Sequence, residues 1–420
     1  MARVTWTRRR ALAAAAAALA APHVRAAGAG QPKVVVVGGG AGGATAARYL
    51  VQGGGLDVTL VEPTRAYYSC FFSNLHIGGL RSMASLAHDY GRIAAEGVEV
   101  IHDTAIAIDR DRREVGLAGG VVLPYDRLVL SPGVDFVEGA VPGWDITQAG
   151  RMPHAYKSAG DQTELLKAQI EAMPEGGLYC MIAPPNPYRC PPAPYERISM
   201  VAHRLKQINP TAKILIADPK DHYSKQALFE EAWDKYYGGM ITRLGPDFGG
   251  DVVSVDPGAM EVDIDGEVNR VDVCNVIPAM KAGWICDRAG LTEGDWAPVM
   301  PVTMQSRIDE SIHVLGDAAD QGDMPKAAFA ATGQAKAAAM AVRAALLGAR
   351  AFPPRYANAC WSFLAPDDVV KLADTFRAGE EKIERVDRVI SQMNEDPALR
   401  RRNAEEAVAW YDAITADIFG

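Results

Sequence analysis

Two of the six cysteines stand in sequence settings that suit thiol redox chemistry. Cys190 lies in the run PYRCPP, where the adjacent Arg189 could stabilise a thiolate and the prolines would hold the loop rigid. Cys360 lies in the run ANACWS near the C-terminus. A cysteine of a disulfide can be attacked and released by another sulfur nucleophile, so both positions are candidates for sulfur exchange. A purely structural disulfide is the alternative, and whether the two side chains meet depends on the fold.

The remaining cysteines carry weaker signals. Cys180 and Cys274 lie in apolar, strand-like runs, so we expect them to pack in the core. Cys70 follows two tyrosines, and by its type alone it is expected to be a small buried hydrophobic residue. The sequence leaves Cys286 undetermined. None of the eight histidines has the spacing of metal ligands, so no metal site is predicted.

A glycine-rich turn near the start of the chain predicts a dinucleotide site. The apolar, β-branched run 33–37 predicts a strand buried on both faces, and a helical stretch follows at 44–51. Three glycines between them match G-x-G-x-x-G: Gly38, Gly40 and Gly43. The next predicted strand, 57–61, ends at Glu62, where a carboxylate can accept hydrogen bonds from a ribose. The triplet alone could be a tight turn, but strand, helix and carboxylate in register favour nucleotide binding.

Two later segments favour FAD over NAD. Residues 125–133 and 311–317 each read as a strand that ends in a turn. The second resembles the element of two-dinucleotide-domain flavoproteins whose aspartate binds the ribityl chain, here Asp317, although an ordinary N-cap is the alternative. A helix beginning at about Lys326 to Ala330 would direct its positive end toward the flavin ring. The sequence therefore predicts FAD, with Asp317 and Lys326 at its site.

A second nucleotide-type unit follows, but its turn lacks the glycines that phosphates require. The runs 178–183 and 212–218 predict strands, and 196–207 predicts the helix between them. The intervening turn, 184–194, is rich in proline. Proline has no N–H to donate and fixes φ, so this turn cannot cradle a phosphate in that way. Nicotinamide is therefore not expected as the electron partner.

The N-terminus predicts a targeting segment. Three adjacent arginines at 8–10 precede an alanine- and leucine-rich run at 11–21, and small residues follow Pro22. This pattern is typical of a twin-arginine signal peptide over 1–26, although a helix of the folded protein is the alternative. We therefore expect export to the periplasm, where disulfides persist. A formal charge of −9 argues against a nucleic-acid partner, and no apolar run is long enough to span a membrane.

Over essentially its whole mature length, the chain resembles the flavoprotein subunit of flavocytochrome c sulfide dehydrogenase. Six segments carry the similarity: VVVVGGGAGGATAARY (34–49), YYSCFFSN (67–74), APPNPYRCPPAPYER (183–197), GDA (316–318), MPK (324–326) and AWYDAITADIFG (409–420). The resemblance implies an α/β, disulfide-reductase-like fold with two Rossmann-like dinucleotide-binding domains and a C-terminal α+β interface domain. The implied bounds are an FAD domain in two segments (33–150 and 287–352), a second domain without a nucleotide site (151–286) and the interface domain (353–420).

The resemblance also implies the chemistry. FAD would be attached covalently through Cys70, and Cys190 and Cys360 would form a redox-active disulfide. Hydrogen sulfide would be oxidised there to zero-valent sulfur or polysulfide, with electrons passing through FAD to a c-type cytochrome. That cytochrome would be a separate chain, because this one has no C-x-x-C-H motif. Glu196 could accept a proton from the incoming sulfide, or it could stabilise the helix start.

Several alternatives stay open. A sulfide:quinone oxidoreductase, a polysulfide or disulfide reductase, and a non-catalytic flavin-binding or assembly protein would share parts of this pattern. The segment 371–402 is densely charged and departs from the family pattern, so we expect a solvated helical excursion that alters the partner surface. Trp361 and Trp410 are candidates for the electron route to that partner, or plain core residues.

Overall fold

A computed structural model describes residues 30–157 and 159–420. The predicted signal peptide, 1–26, lies outside the described residues. Within them the strands, in chain order, are β1 (Lys33–Val37), β2 (Asp57–Val61), β3 (Ala66–Tyr68), β4 (Ala87–Asp89), β5 (Glu99–Ile101), β6 (Ala105–Asp109), β7 (Glu114–Leu117), β8 (Val122–Pro124), β9 (Arg127–Leu130), β10 (Val134–Phe136), β11 (Leu178–Ile182), β12 (Lys213–Ala217), β13 (Ile241–Leu244), β14 (Val253–Asp256), β15 (Glu261–Ile264), β16 (Glu267–Arg270), β17 (Val273–Val276), β18 (Met280–Ala282), β19 (Ala297–Pro298), β20 (Ile312–Val314), β21 (Ala319–Asp320), β22 (Arg355–Ala365), β23 (Asp368–Ala378) and β24 (Ile383–Ile390).

The α-helices of the same residues lie mainly between strands of the parallel sheets or at the C-terminus. They are α1 (Ala41–Val51), α2 (Ser73–Ile77), α3 (Gly91–Ala95), α4 (Asp161–Glu171), α5 (Ala193–Ile208), α6 (Gln226–Tyr237), α7 (Trp284–Arg288), α8 (Ala328–Leu347) and α9 (Pro397–Phe419). Short 3₁₀ turns occur at Met83–Leu86, Ile146–Gly150, Pro246–Phe248 and Gly316–Ala318.

Two parallel sheets form the body of the molecule. The first has the order β20-β9-β1-β2-β5, and the second has the order β13-β12-β11-β17. The four valines of β1, Val34–Val37, are buried in one core with α1, α8 and the three-stranded sheet β6-β7-β8, so a continuous apolar run is needed there. Both sheets are parallel at every strand pairing. The predicted α/β, disulfide-reductase-like fold class is confirmed.

The C-terminal region is an antiparallel sheet, β22-β23-β24, with α9 packed against it. The prediction of a helical excursion over 371–402 is wrong, because most of β23 and all of β24 lie there. Along β23, the side chains of Leu372, Asp374 and Phe376 are buried, and their neighbours are more exposed, which is the period of a strand. The charges pair across strands, as when Arg388 Nε lies 2.7 Å from Asp374 Oδ1. Paired charges on one face hid this alternation in the sequence.

Within residues 30–157 and 159–420, the helices are all too short or too polar to cross a membrane.

Candidate active site

The carboxyl ends of β1 and β9 open onto a cavity of about 480 Å³, which we call the inner cavity. The glycine turn after β1 lines it, together with Glu62, Cys70, Cys190 and Asp317. Ligands of open parallel sheets bind at this edge, outside the carboxyl ends of the strands. Five residues predicted for the flavin line this cavity: Gly38, Gly40, Glu62, Cys70 and Asp317. Gly43, the sixth, does not line it and lies in the first turn of α1.

Glycine is required in the turn for two separate reasons. Gly38 has φ of +97°, a conformation that favours glycine, and a Cβ there would lie 2.3 Å from the Ser131 carbonyl oxygen. At Gly43, the first helix turn packs so closely that a Cβ would lie 1.8 Å from the Gly38 oxygen. Gly40 lines the cavity, and an added Cβ would meet only the Tyr67 ring, at 3.6 Å. This backbone leaves space for a ligand to approach the start of α1.

Glu62 lies beside the glycine turn and is hydrogen-bonded to it. Its Oε2 accepts a hydrogen bond from the Gly39 backbone N–H at 2.7 Å, and Oε1 accepts from the Thr64 backbone N–H at 2.9 Å. These bonds fix the carboxylate at the end of β2, on the wall of the inner cavity. That is the place where an acidic residue meets a ribose in this kind of fold.

Asp317 is the cavity residue whose contacts point most clearly to ligand binding. Its Oδ1 is buried and has no hydrogen-bond partner within the described part of the chain. Its Oδ2 lies 4.0 Å from Arg189 Nε, and burial raises the pKa of the carboxyl above its usual range. A buried acceptor without a donor is costly unless a ligand supplies one. A hydroxyl of a ribityl chain would satisfy it, so the residues of the inner cavity fit FAD.

Cys70 follows β3 and lies on the wall of the inner cavity, half-buried. Its Sγ is 3.9 Å from the Tyr67 hydroxyl. The last turn of α9 covers this loop, with the Phe419 ring stacked on Tyr67 at 5.3 Å between centroids. The thiol is therefore held against the cavity rather than in the hydrophobic core.

Cys190 and Cys360, 170 positions apart in the chain, are neighbours in space. Both line a second cavity of about 530 Å³ on the far side of the pair, which we call the outer cavity. Cys190 lines both cavities, whereas Cys360 lines only the outer one. The Cys190 backbone has φ of +54°, and its N–H donates to the Lys326 carbonyl at 2.7 Å. A cysteine in the left-handed backbone region is uncommon, so the surrounding loop must hold this residue in place.

The two thiols differ in acidity. The neighbouring Cys190 thiol and the Lys225 ammonium lower the pKa of Cys360 to about 6, because both stabilise its thiolate. Lys225 Nζ donates to the Cys360 carbonyl and to Ser362 Oγ, each at 3.0 Å. The pKa of Cys190 is raised well above its usual value, since its proton is shared with Cys360 and the site is buried. The thiolate-stabilising cation is thus Lys225.

The expectation that Arg189 stabilises a Cys190 thiolate is wrong. The Arg189 side chain turns toward the inner cavity, where its Nε lies 4.0 Å from Asp317 Oδ2 and its Nη1 donates to the Lys157 carbonyl at 2.8 Å. Adjacent residues of a loop can point in opposite directions, so a cation next to a cysteine in sequence need not stabilise the thiolate of that cysteine.

Glu196 lies in the first turn of α5, close to the cysteine pair. Its Oε2 accepts from Asn74 Nδ2 at 2.8 Å and its Oε1 from the Phe363 backbone N–H at 2.9 Å. Burial raises the pKa of the carboxyl to about 7, where it can both accept and release a proton near neutrality. The carboxyl thus lies where a negative charge stabilises a helix start, and its role as the proton acceptor for sulfide stays a prediction.

Lys326 lies on the outer cavity. Its Nζ donates to the carbonyls of Asp317 and Ala319, at 2.9 and 2.8 Å, and sits 3.5 Å from the Trp296 ring centroid. Burial lowers the pKa of this amine to about 8. The next residue, Ala327, lines both cavities and precedes α8, so the start of that helix reaches the inner cavity as expected. A direct contact of Lys326 with FAD stays a prediction.

Three site residues were not predicted from the sequence: Lys225, Ser362 and Asn74. Each reaches the cysteines or Glu196 from a different element. Two of them carried a signal: Asn74 ends the segment 67–74 that carries the family resemblance, and Ser362 points to the same face of β22 as Cys360, two residues earlier.

In the second parallel sheet, the protein's own side chains surround the acidic residue that follows β12. At the end of β12, Asp218 is fully buried and accepts hydrogen bonds from the Tyr195 hydroxyl at 2.7 Å and Arg243 Nε at 2.8 Å. Lys220 Nζ lies 2.7 Å from its other oxygen. The carboxylate that could have bound a ribose is therefore occupied by the protein's own side chains.

Three family descriptions match the chain. Residues 163–278 match "Sulfide dehydrogenase [flavocytochrome c] flavoprotein chain, central", and residues 352–419 match "Flavocytochrome c sulphide dehydrogenase, flavin-binding". Residues 32–170 match the broader "Pyridine nucleotide-disulphide oxidoreductase" family. The matches cover the glycine turn, Cys70, Cys190 and Cys360.

Solved structures share the fold at low identity. The sulfide:quinone oxidoreductase of Aquifex aeolicus has a TM-score of 0.69 at 16% identity, with 92% of this chain and 91% of that chain covered. The NAD-dependent persulfide reductase of A. fulgidus has a TM-score of 0.59 at 16% identity, covering 89% and 77%. A ferredoxin reductase from Rhodopseudomonas palustris has a TM-score of 0.61 at 18% identity, covering 84% and 91%. These likenesses show the fold alone, whereas the family matches indicate a flavoprotein oxidoreductase, and the chain belongs to the family of flavocytochrome c sulfide dehydrogenase flavoprotein chains.

Proposed function

We propose that this chain oxidises hydrogen sulfide to zero-valent sulfur or polysulfide at a disulfide between Cys190 and Cys360. The observation that carries the proposal is the position of the pair: Cys190 lines both the flavin-fitting inner cavity and the outer cavity, and Cys360 lines the outer one alone. A pair between two cavities can receive a sulfur nucleophile on one side and hand electrons over on the other.

The first step is thiol–disulfide exchange with sulfide as the nucleophile. Hydrosulfide attacks the Cys360 sulfur from the outer cavity, the S–S bond breaks, and the bonding pair goes to Cys190. The products are a persulfide on Cys360 and a thiolate on Cys190, so atoms and charge balance. Before the attack, Glu196 takes a proton from hydrogen sulfide to give this hydrosulfide, and its pKa of about 7 leaves much of the carboxyl ionised at neutral pH.

FAD in the inner cavity would supply a two-electron acceptor beside Cys190 that can pass electrons on singly. Gly38, Gly40, Gly43, Glu62 and Asp317 would hold it, and we propose that Cys70 tethers it covalently. The tether has a direct test. Denaturation in acid should leave flavin on the wild-type chain and release it from Cys70→Ala, whereas release from both would reject the tether.

We propose a c-type cytochrome on a separate chain as the electron acceptor, in the periplasm after twin-arginine export. Trp410 and Trp361 support an exit route, because Phe71 of the inner cavity lies 5.9 Å from Trp410, which lies 5.1 Å from Trp361, between ring centroids. The outward face of α9 supports a water-soluble acceptor over a membrane quinone, since it carries charged side chains: Arg401, Arg402, Glu405, Glu406 and Asp412.

The test is anaerobic titration of the flavin-loaded protein with sulfide, with flavin absorbance as the readout. Wild type should bleach with about one equivalent of sulfide, whereas Cys190→Ser and Cys360→Ser should not bleach on the same timescale. Cys286→Ser is the matched control, because that cysteine is buried in the core of the first sheet and away from the pair.

Unchanged bleaching in either serine variant of the pair would reject the disulfide mechanism. The electron acceptor is tested by adding cytochrome c or a soluble quinone to the sulfide-reduced protein. Faster reoxidation by the quinone would favour the sulfide:quinone oxidoreductase alternative. If sulfide did not bleach the flavin of the wild-type protein either, a non-catalytic flavin-binding protein would be favoured.

A further inference from the structure

The outer cavity is far larger than its proposed substrate requires. A volume of about 530 Å³ lies within the range of sites for small organic ligands, whereas hydrosulfide has a single heavy atom. Polar and charged side chains lie at specific points of its wall. We propose that it binds a low-molecular-weight thiol carrying carboxylate and N–H groups, and that this thiol takes the sulfur from the Cys360 persulfide. The inference rests on the proposed function for the formation of that persulfide.

Two buried amides mark the cavity wall. Asn358 is 3% exposed and Gln321 is 4% exposed, and both line the outer cavity. Asn358 Oδ1 and Gln321 Nε2 have no hydrogen-bond partner among residues 30–157 and 159–420. A buried amide atom without a partner is destabilising, so its retention beside a cavity indicates a ligand that supplies the missing bond.

The orientation of Gln321 is fixed by a chain of hydrogen bonds. The Gly316 backbone N–H donates to Gln334 Oε1 at 2.8 Å, which fixes the Gln334 amide. Gln334 Nε2 then donates to Gln321 Oε1 at 2.6 Å. Gln321 therefore has its Nε2 left over as a donor, which requires an acceptor such as a carboxylate oxygen.

Asn358 is placed beside the reacting sulfur by strand geometry. It precedes Cys360 by two positions on β22, so both side chains point to the same face of the sheet. Its Oδ1 can accept an N–H from a ligand whose sulfur reaches Cys360. An amide or ammonium group in the ligand would satisfy it.

The charge of the wall favours an anion. Four cationic and three acidic side chains line the outer cavity: Lys225, Lys326, Arg385 and Arg388, against Asp320, Asp323 and Asp374. Asp374 is paired with Arg388, at 2.7 and 3.1 Å, and with Arg385 at 3.3 Å, whereas Asp323 is paired with Lys382 at 2.6 Å. A net positive wall on a chain of formal charge −9 would attract carboxylates and thiolates.

The transfer step conserves electrons. The thiolate of the ligand attacks the outer sulfur of the Cys360 persulfide, a new S–S bond forms, and the bond to Cys360 breaks. The products are the persulfide of the ligand and a Cys360 thiolate. Lys225 Nζ, 3.0 Å from both the Cys360 carbonyl and Ser362 Oγ, stabilises this leaving thiolate. The thiolate can then re-form the disulfide once Cys190 has given up its electrons.

The experiment measures multiple turnovers of the flavin-loaded protein with sulfide, an electron acceptor and a probe thiol. Glutathione, which carries two carboxylates and several N–H groups, is compared with 2-mercaptoethanol, which carries none. We expect glutathione to saturate as a substrate, with glutathione persulfide as the product in alkylation mass spectrometry. 2-Mercaptoethanol should require at least tenfold higher concentration for the same rate.

Asn358→Leu and Gln321→Leu should raise the KM for glutathione about tenfold and leave bleaching of the flavin by one equivalent of sulfide unchanged. Thr163→Val is the matched control, because Thr163 Oγ1 is likewise buried without a partner but lies outside the cavity. Equal KM values for the two thiols, or a product of polysulfide alone, would overturn the inference. Loss of single-turnover bleaching in wild type would instead reject the proposed function.

Discussion

The two parallel sheets are built alike but end in opposite kinds of turn. After β1 the chain runs through glycines into α1, whose first turn has no acidic residue. After β11 it runs through a proline-rich loop into α5, whose first turn carries Glu196. A helix N-terminus attracts negative charge. The first unit leaves that position for a ligand, whereas the second occupies it with its own carboxylate.

The acidic residues after the second strands show the same contrast. Glu62 is held by backbone N–H groups of Gly39 and Thr64 and remains on the wall of the inner cavity. Asp218 is enclosed by Lys220, Arg243 and Tyr195. One architecture thus forms a nucleotide site in the first unit and, in the second, a rigid support for Cys190. Side chains at the turn, rather than the fold, therefore decide which role a unit takes.

The largest effect is expected from closing the first turn. In Gly43→Ala the new Cβ would lie 1.8 Å from the Gly38 oxygen, so the strand–turn–helix junction has to move. We expect purified Gly43→Ala to hold less than a tenth of the wild-type flavin, measured as the ratio of flavin to protein absorbance. Gly150→Ala is the control, because nothing lies within 4 Å of a Cβ there. Full flavin content in Gly43→Ala would show that the turn does not bind the cofactor.

In the second unit, the corresponding change should cost stability rather than cofactor. Asp218→Asn leaves Lys220 and Arg243 without their shared counter-charge in a buried setting, which typically costs about 3–5 kcal/mol. We expect a lower midpoint of chemical unfolding and unchanged flavin content in the folded protein. The exposed Asp234→Asn serves as the control. Loss of flavin without loss of stability would mean that Asp218 still serves a nucleotide.

The contrast between the turns was largely readable from the sequence. The sequence predicts the roles of the glycines, Glu62 and the prolines because local backbone requirements select these residue types directly. It predicts the strands around them from their apolar runs. The contact between Cys190 and Cys360 is predicted only by the family resemblance, since residues 170 positions apart are brought together by tertiary packing. Lys225 and Asn358 were missed for the same reason. The sequence of β23 and β24 predicts a helix, because the charged residues that pair across the strands conceal the period of two.

The smallest of these effects concerns the carboxylate at the start of α5. If Glu196 accepts the proton of the attacking sulfide, the rate should fall as pH drops below about 7, because burial raises the pKa of the carboxyl to that value and the protonated form cannot act as a base. Glu196→Gln should slow sulfide-driven bleaching about 10²-fold at pH 8, near the lower end for a general base. It should also lose the part of the pH dependence centred near 7 that wild type shows. Stopped-flow traces from pH 6 to 8 measure both, with Glu164→Gln as the control, since that side chain contacts His76 away from the cysteines. A variant that is slow but keeps the wild-type pH profile would assign Glu196 to positioning α5 rather than to proton transfer, and the two helix starts would then differ only in which anion they hold.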